Sequence, residues 1–339
     1  MPFVKDTLAK VIGGAALSEA EAEVVMGKIM AGAATPAQLG ALLTALRLKG
    51  ESVDELTGFA RGMRAHSLKV TTSRWPLVDT CGTGGAVRKT FNISTTAAFV
   101  AAAAGVAIAK HGNRAATSKF GSADVLEALG ARLDLTPEAV GRCIDEVGIG
   151  FLFARSHHPA MKHAAPIRAE LGFRTIFNAL GPLTNPAGAT RQVLGVYDGA
   201  LCEPLARVLL RLGAEHVLVV HGRAGLDEIS TFGETLVAEG KGDEVVTYTL
   251  TAAKLGFAEA TPDALAPRDD DDPAATVRAI LGGEPGPRRE IVLVNAGAAL
   301  YVAGAAASLT EGIALATKTL DSGAALAKLE QFVAFTQNN

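Results

Sequence analysis

Between Asp79 and Ser122 the sequence gathers residue types that hold anions. A short apolar run, Leu77-Val78-Asp79, leads into Gly82-Thr83-Gly84-Gly85, and such a cluster lets backbone N–H groups reach an anion unobstructed. No Walker Gly-Lys-Ser/Thr follows it, which argues against a P-loop nucleotidase. A dinucleotide fold is also disfavoured. Val87 stands where the third glycine belongs, and the next strand ends in Lys110 rather than an acidic ribose ligand. Asn92, Ser94, Thr95 and Thr96 then place an amide and hydroxyls at a helix N-terminus, where orphan N–H groups and the helix dipole favour anions. Capping alone is the other reading of Asn92 or Ser94. Lys110-His111-Gly112-Asn113-Arg114 closes a second strand, with Thr117, Ser118 and Lys119 behind it. In an open α/β sheet ligands bind beyond the carboxyl ends of strands, so two adjacent strands would offer both loops to one polyphosphate.

Asp227-Glu228 follows the strand-like His216 to His221, in the loop Gly225-Leu226-Asp227-Glu228-Ile229-Ser230. Adjacent carboxylates can reach two Mg²⁺ ions that bridge phosphates; alone, such a pair reads more often as exposed surface. Its place after a strand, at the same sheet edge, favours the metal reading. His157, His158 and His163 have no acidic neighbour among Arg155, Lys162 and Arg168, so a pocket wall or plain packing fits them better than a metal site. Cys81 abuts the glycine loop without a base to activate it and reads as a buried, inert thiol. Nothing requires a covalent nucleophile, and His111 is the titratable candidate for handling a proton, with packing as the alternative.

These groups need an α/β frame. Leu77–Asp79, Val106–Ala109, His216–His221 and Ile291–Asn295 read as strands alternating with helices, which predicts a largely parallel sheet. The first seventy residues read as a small helical bundle. Ser18/Glu21, Thr35/Gln38 and Ser52/Glu55 have capping-box spacing, Pro36 suits a first helical position, and Gly50 supplies a stop. The pattern changes at Trp75-Pro76.

The chain has 339 residues, 37 of them glycine, enough for two domains rich in tight turns. Its formal charge of −3 disfavours a broad nucleic-acid surface. Cys81, Cys143 and Cys202 are too scattered for a disulfide framework or a zinc site. Neither the N-terminus nor the apolar stretch Ala97–Ala109 has the length of a signal or a membrane span, so a soluble cytoplasmic protein is expected, without membrane or nucleic-acid partners. Arg268-Asp269-Asp270-Asp271-Asp272-Pro273 reads as a solvated loop.

Taken in order, the blocks Gly82–Gly85, Thr90-Phe91-Asn92-Ile93-Ser94-Thr95, Lys110–Arg114, Gly121-Ser122-Ala123-Asp124, Arg168–Pro186 (RAELGFRTIFNALGPLTNP), Asp227-Glu228 and Asn295–Leu300 resemble the anthranilate phosphoribosyltransferases. The resemblance runs to about Leu329 and rests above all on the KHGNR and GPLTNP blocks. It implies a helical domain (residues 1–70 with 168–190) beside a larger α/β domain (75–167 with 191–339), a fold shared with pyrimidine nucleoside phosphorylases, and usually a homodimer. It also implies that Gly82, Gly85, Ala86, Thr90, Asn92, Ile93, Ser94, Thr95, Lys110, His111, Gly112, Asn113, Arg114, Ala115, Ala116, Thr117, Ser118 and Ser122 hold phosphoribosyl diphosphate. Gly82, Asn113 and Arg168 would meet anthranilate, and Ser94, Asp227 and Glu228 would serve two Mg²⁺ ions. A guanidinium at Arg168 suits a planar carboxylate, which it grips through two bonds. One departure stands out: the family commonly has Asp-Gly where this chain has Ala86-Val87, followed by Arg88-Lys89, which puts the contact at position 86 in doubt. A nucleoside phosphorylase and a non-catalytic, nucleic-acid-binding relative are the rival readings.

Overall fold

The computed structural model describes residues 2–115, 120–267 and 272–339. Four helices come first: α1 (Pro2–Ile12), α2 (Glu19–Met30), α3 (Pro36–Lys49) and α4 (Val53–Ala65). All three expected capping boxes form, Pro36 sits at the start of α3, and Gly50 caps its end at φ 84°. Helices α2 and α4 pack backbone against backbone because α4 carries Gly58 and Gly62. A Cβ on Gly62 would stand 2.7 Å from the Glu23 carbonyl oxygen and 2.8 Å from Met26 Cβ. Glu55 is fully buried there, accepting from Leu17 N at 3.0 Å, Ser52 N at 2.8 Å and Lys49 Nζ at 2.8 Å.

Next come β1 (Leu77–Gly82), α5 (Ile93–Ala103), β2 (Ala107–Gly112), α6 (Ser122–Ala128), α7 (Pro137–Val147) and β3 (Ile149–Phe153). The short helices α8 (Ala154–His157), α9 (Ala165–Leu171) and α10 (Phe177–Leu180) lead to β4 (Arg191–Gly195), α11 (Cys202–Arg211), β5 (His216–Gly222), β6 (Thr235–Lys241) and β7 (Glu244–Leu250). The chain ends in α12 (Pro262–Leu265), α13 (Pro273–Leu281), α14 (Pro287–Ala303), α15 (Leu309–Asp321) and α16 (Ala324–Asn338).

The seven strands form one sheet in the order β3-β2-β1-β4-β5-β6-β7, parallel from β3 to β5 and antiparallel at β6 and β7. The chain leaves β1 toward β2 and leaves β4 toward β5, so β1 and β4 flank a topological switch point, the usual place for a ligand crevice. Alternation along the strands divides the core. Leu218 and Val220 of β5 join α5 and α14 on one face, whereas Val217 and Val219 join α11 and the helical bundle on the other. The second cluster runs without a break from Val11 through Met63 to Ile176–Leu183 and Leu205–Leu209.

The expected strand at Ile291–Asn295 is instead the middle of the 17-residue helix α14. This helix is enclosed on all sides, with Ile291 to Leu300 wholly buried, so its sequence shows no polar stripe, and a short apolar run does not distinguish a buried helix from a strand. Pro287 at its start and Gly304 after its end are the better signals. Asp272 caps α13 through Ala274 N; Arg268 to Asp271 lie outside the described residues. The three cysteines are free and buried, and among the described residues no helix is long and apolar enough to cross a membrane.

Gly62→Ala should lower stability by about 1–3 kcal/mol, although alanine is the better helix former, because the added methyl must push α2 from α4. Urea unfolding measures this, and an unchanged or raised midpoint would contradict the close packing.

Candidate active site

A cleft of about 440 Å³ opens at the carboxyl ends of β1 and β2, facing the helical side of the molecule. It gathers all the described candidate residues: the glycine loop from Gly82 to Ala86, Thr90, Asn92 to Thr95, Lys110 to Ala115, Ser122, Arg168, Asp227 and Glu228. Ala116, Thr117 and Ser118 lie outside the described residues.

One buried carboxylate sets the floor. Asp79 accepts the main-chain N–H of His111 at 3.0 Å and the Asn185 amide at 2.8 Å, while the same Asn185 nitrogen donates to Ala109 O at 2.8 Å. Strand β1, the end of β2 and the GPLTNP segment are thereby tied at one point. Burial pushes the Asp79 carboxyl up to about 6, opposed by Asn185, Lys110 and the His111 N–H. Lys110 is also buried. Its Nζ donates to the Thr80 carbonyl and stands 3.4 Å from Ser94 Oγ, and burial lowers its pKa against the pull of Asp79.

The carboxylate pair reaches this floor because glycines make room. A Cβ on Gly195 would overlap the Asp227 carbonyl, and one on Gly82 would stand 3.1 Å from Asp227 Oδ2. Both strand ends at the switch point thus admit the loop that follows β5. Asp227 and Glu228 keep access to the cleft while lying deep among protein atoms. Burial, then the Asp227 charge, pushes Glu228 up to about 8; Lys110 and the Ser94 main chain pull the other way.

Asn92 occupies the N-cap of α5 without a side-chain capping bond, so capping does not account for it. The glycine loop is pinned from two directions. Arg174 Nη2 donates to Gly85 O at 2.6 Å, its guanidinium 4.1 Å from the Tyr197 ring centre, and Arg88 bonds Gly225 O and Ala224 O. Ala86 lines the cleft while Val87 points to solvent, 81% exposed. Arg114 turns away into a two-pronged bond with Glu127, both arms at 2.6 Å, and Asp124 Oδ1 at 3.1 Å. Arg168 of α9 lies over the Phe177 ring at 5.3 Å and has no carboxylate partner among the described residues.

The histidines part company. His111 and His158 both line the cleft, ring centres 5.2 Å apart. His157 is buried behind them with Nδ1 on Phe153 O, and His163 does not line the cleft. Burial, then His158 and His157, holds His111 well below the usual imidazole range, which makes it a neutral and weak base. Burial likewise lifts the Cys81 thiol far above its usual range, so it stays a protonated, inert group. Sequence reasoning misses Met63, Met161, Arg174, Phe177, Asn178 and Pro182 as lining residues. Arg174, Phe177, Asn178 and Pro182 lie within the RAELGFRTIFNALGPLTNP block, whereas nothing in the α4 sequence distinguishes Met63 from an ordinary core residue.

Residues 5–67 match the sequence model "Glycosyl transferase family, helical bundle domain", and residues 74–326 match "Glycosyl transferase family, a/b domain". The anthranilate phosphoribosyltransferase of Rubrobacter xylanophilus is 56% identical over 332 residues, 98% of this chain and 97% of that one. The chain belongs to the anthranilate phosphoribosyltransferase family. Its fold agrees: the crystal structure of the Thermus thermophilus anthranilate phosphoribosyltransferase superposes with a TM-score of 0.93 at 49% identity, covering 98% of this chain and 99% of that one. The Saccharomyces cerevisiae enzyme in complex with PRPP and Mg gives 0.87 at 27% identity, over 99% and 98% of the two chains.

The position of Glu228 makes a pH prediction. A carboxyl raised from 4.5 to about 8 contributes stability that is complete below pH 4.5 and lost as pH rises through 8. Cation-free wild type should therefore lose urea resistance between pH 5 and 8 relative to Glu228→Gln. Parallel profiles would show that Glu228 ionises normally.

Proposed function

We infer that this chain transfers the 5-phosphoribosyl group from phosphoribosyl diphosphate (PRPP) to the amine of anthranilate, giving N-(5-phosphoribosyl)anthranilate and diphosphate in tryptophan biosynthesis. The observation that carries the reading is the convergence, in one cleft, of the glycine loop, the α5 N-terminus, Lys110, the carboxylate pair and an Arg168 without a carboxylate partner among the described residues. The names of the close relatives agree with it.

In this reading Gly82, Gly85, Thr90, Asn92 to Thr95, Lys110 to Ala115 and Ser122 receive PRPP, while Gly82, Asn113 and Arg168 receive anthranilate. Arg114 must release Glu127 to take part. The yeast relative's complex with PRPP and Mg supports magnesium use here. Ser94, Asp227 and Glu228 suit it: they offer hard oxygen donors, and no group of three His, Cys, Asp or Glu forms a protein cage among the described residues. Ser94, Asp227 and Glu228 would together hold the two ions we propose. When bound, magnesium neutralises the charge growing on the departing diphosphate.

The amine nitrogen forms its bond to the anomeric carbon while the carbon–oxygen bond to diphosphate breaks, the electron pair leaving with diphosphate and a proton leaving the amine. The protein's main task is positioning, since the amine is already nucleophilic. Arg168 grips the carboxylate ortho to the amine, and Lys110 adds positive charge beside the phosphates. His111 fits a wall and an orienting contact better than a strong general base. Residues 1–70 with 168–190, which share one apolar core, form the proposed helical domain, residues 75–167 with 191–339 the α/β domain, and a cytoplasmic homodimer the proposed assembly.

Loss of anthranilate fluorescence that requires both PRPP and MgCl₂ tests the activity; no loss, with no anthranilate binding by calorimetry, would overturn it. Arg168→Lys should raise the anthranilate KM about tenfold or more with little change for PRPP, because the two-pronged grip is lost. Ala86→Asp, which restores the family's carboxylate, should shift the magnesium or PRPP dependence without abolishing turnover; superimposable titrations would remove any role for that position.

A further inference from the structure

The stretch Asn295-Ala296-Gly297-Ala298-Ala299-Leu300 carries part of the family resemblance, yet none of it lines the cleft. Asn295 lies in the middle of α14, 2% exposed, among Ile291, Val292, Leu293 and Val294. A primary amide in such surroundings is costly unless each polar atom finds a partner. Here each does. Oδ1 accepts from Ile229 N at 3.1 Å, and Nδ2 donates to Ile229 O at 2.9 Å and to Ile291 O at 2.8 Å. The two bonds to Ile229 are those a neighbouring strand would make, supplied instead by one side chain from the helix beneath the sheet.

Ile229 immediately follows the carboxylate pair. Upstream, the turn is closed by Gly222 and Leu226, which exchange main-chain bonds at 2.9 and 3.1 Å. Downstream, Ser230 N is held by Thr235 Oγ1 at 2.9 Å. Between these anchors, the main chain leaving Glu228 is fixed by Asn295. A one-residue twist at Ile229 would swing Glu228 away from Ser94 and Lys110.

We propose that Asn295 is a positioning residue for the divalent-cation site: it never touches the cation, but its hold on Ile229 aims the Asp227 and Glu228 oxygens. This rests on the reading of that pair as magnesium ligands. Outer partners of this kind typically govern affinity by about 10–100-fold. Asn295→Asp keeps the volume but sets an acceptor against the Ile229 carbonyl. Asn295→Ser removes both contacts with a smaller polar group, and serves if the aspartate variant does not fold.

The test is Mn²⁺ binding to the full chain, followed by water-proton relaxation at fixed PRPP, beside magnesium activation of turnover. Both Asn295 variants should bind Mn²⁺ about 10–100-fold more weakly and need correspondingly more magnesium, with the anthranilate KM unchanged. Leu293→Ala, a cavity variant of the same helix, should lose thermal stability yet keep wild-type Mn²⁺ affinity. Wild-type affinity in a folded Asn295 variant, with affinity lost in Glu228→Gln, would overturn the positioning role alone. Wild-type affinity in Glu228→Gln as well would overturn the cation site and the positioning role with it.

Discussion

The candidate active site depends on a buried carboxylate, Asp79, that does not itself line the cleft. Parallel strands end with main-chain groups that no neighbouring strand satisfies, and a cleft at those ends must pair them by other means. Asp79 does so by accepting from His111 N and Asn185, whose amide also serves Ala109 O. One point therefore fixes β1, the end of β2 and the segment descending from the helical side. The direction of the cleft-lining loops follows from that knot. The carboxyl, lifted toward 6 by burial, is kept useful by Lys110 beside it.

A second constraint is spatial. Gly82 and Gly195 end adjacent strands in register, and both stay bare where the Asp227 loop presses on them. The same economy recurs in α4, where Gly58 and Gly62 let helix backbones touch. In both places the missing side chain matters through what it admits. Electrostatics then works on the resulting crowd: burial shifts Lys110, Asp227 and Glu228 all toward their neutral forms.

Much of this is legible in the sequence, because it is written locally. Capping boxes occupy four consecutive positions, and all three form. Gly82–Gly85 and Lys110–Arg114 each run from the end of one strand into the loop after it, so their type and place are visible, and the sheet sets them side by side. What escapes depends on contacts between distant segments. Ile291–Asn295 reads as a strand because enclosure by α5, α15 and the sheet erases helical periodicity. Arg174 reaches Gly85 across 89 positions, and Asn295 reaches Ile229 across 66. Arg114 reads as a phosphate ligand, and its engagement with Glu127 follows from where α6 happens to turn.

The apolar cluster that joins the first four helices to Ile176–Leu183 and to Leu205–Leu209 also bears on how the polypeptide is made. A ribosome delivers the N-terminal helices long before the residues that complete their interior. Until roughly two thirds of the chain has emerged, Leu42, Leu46 and Phe59 have only the other apolar residues of the first four helices to pack against. One edge of strand β1 waits as well: β2 follows soon after it, but its other partner β4 arrives over a hundred residues later. Vectorial synthesis therefore leaves the first four helices without their full apolar interior until the segments around Ile176–Leu183 and Leu205–Leu209 have been made.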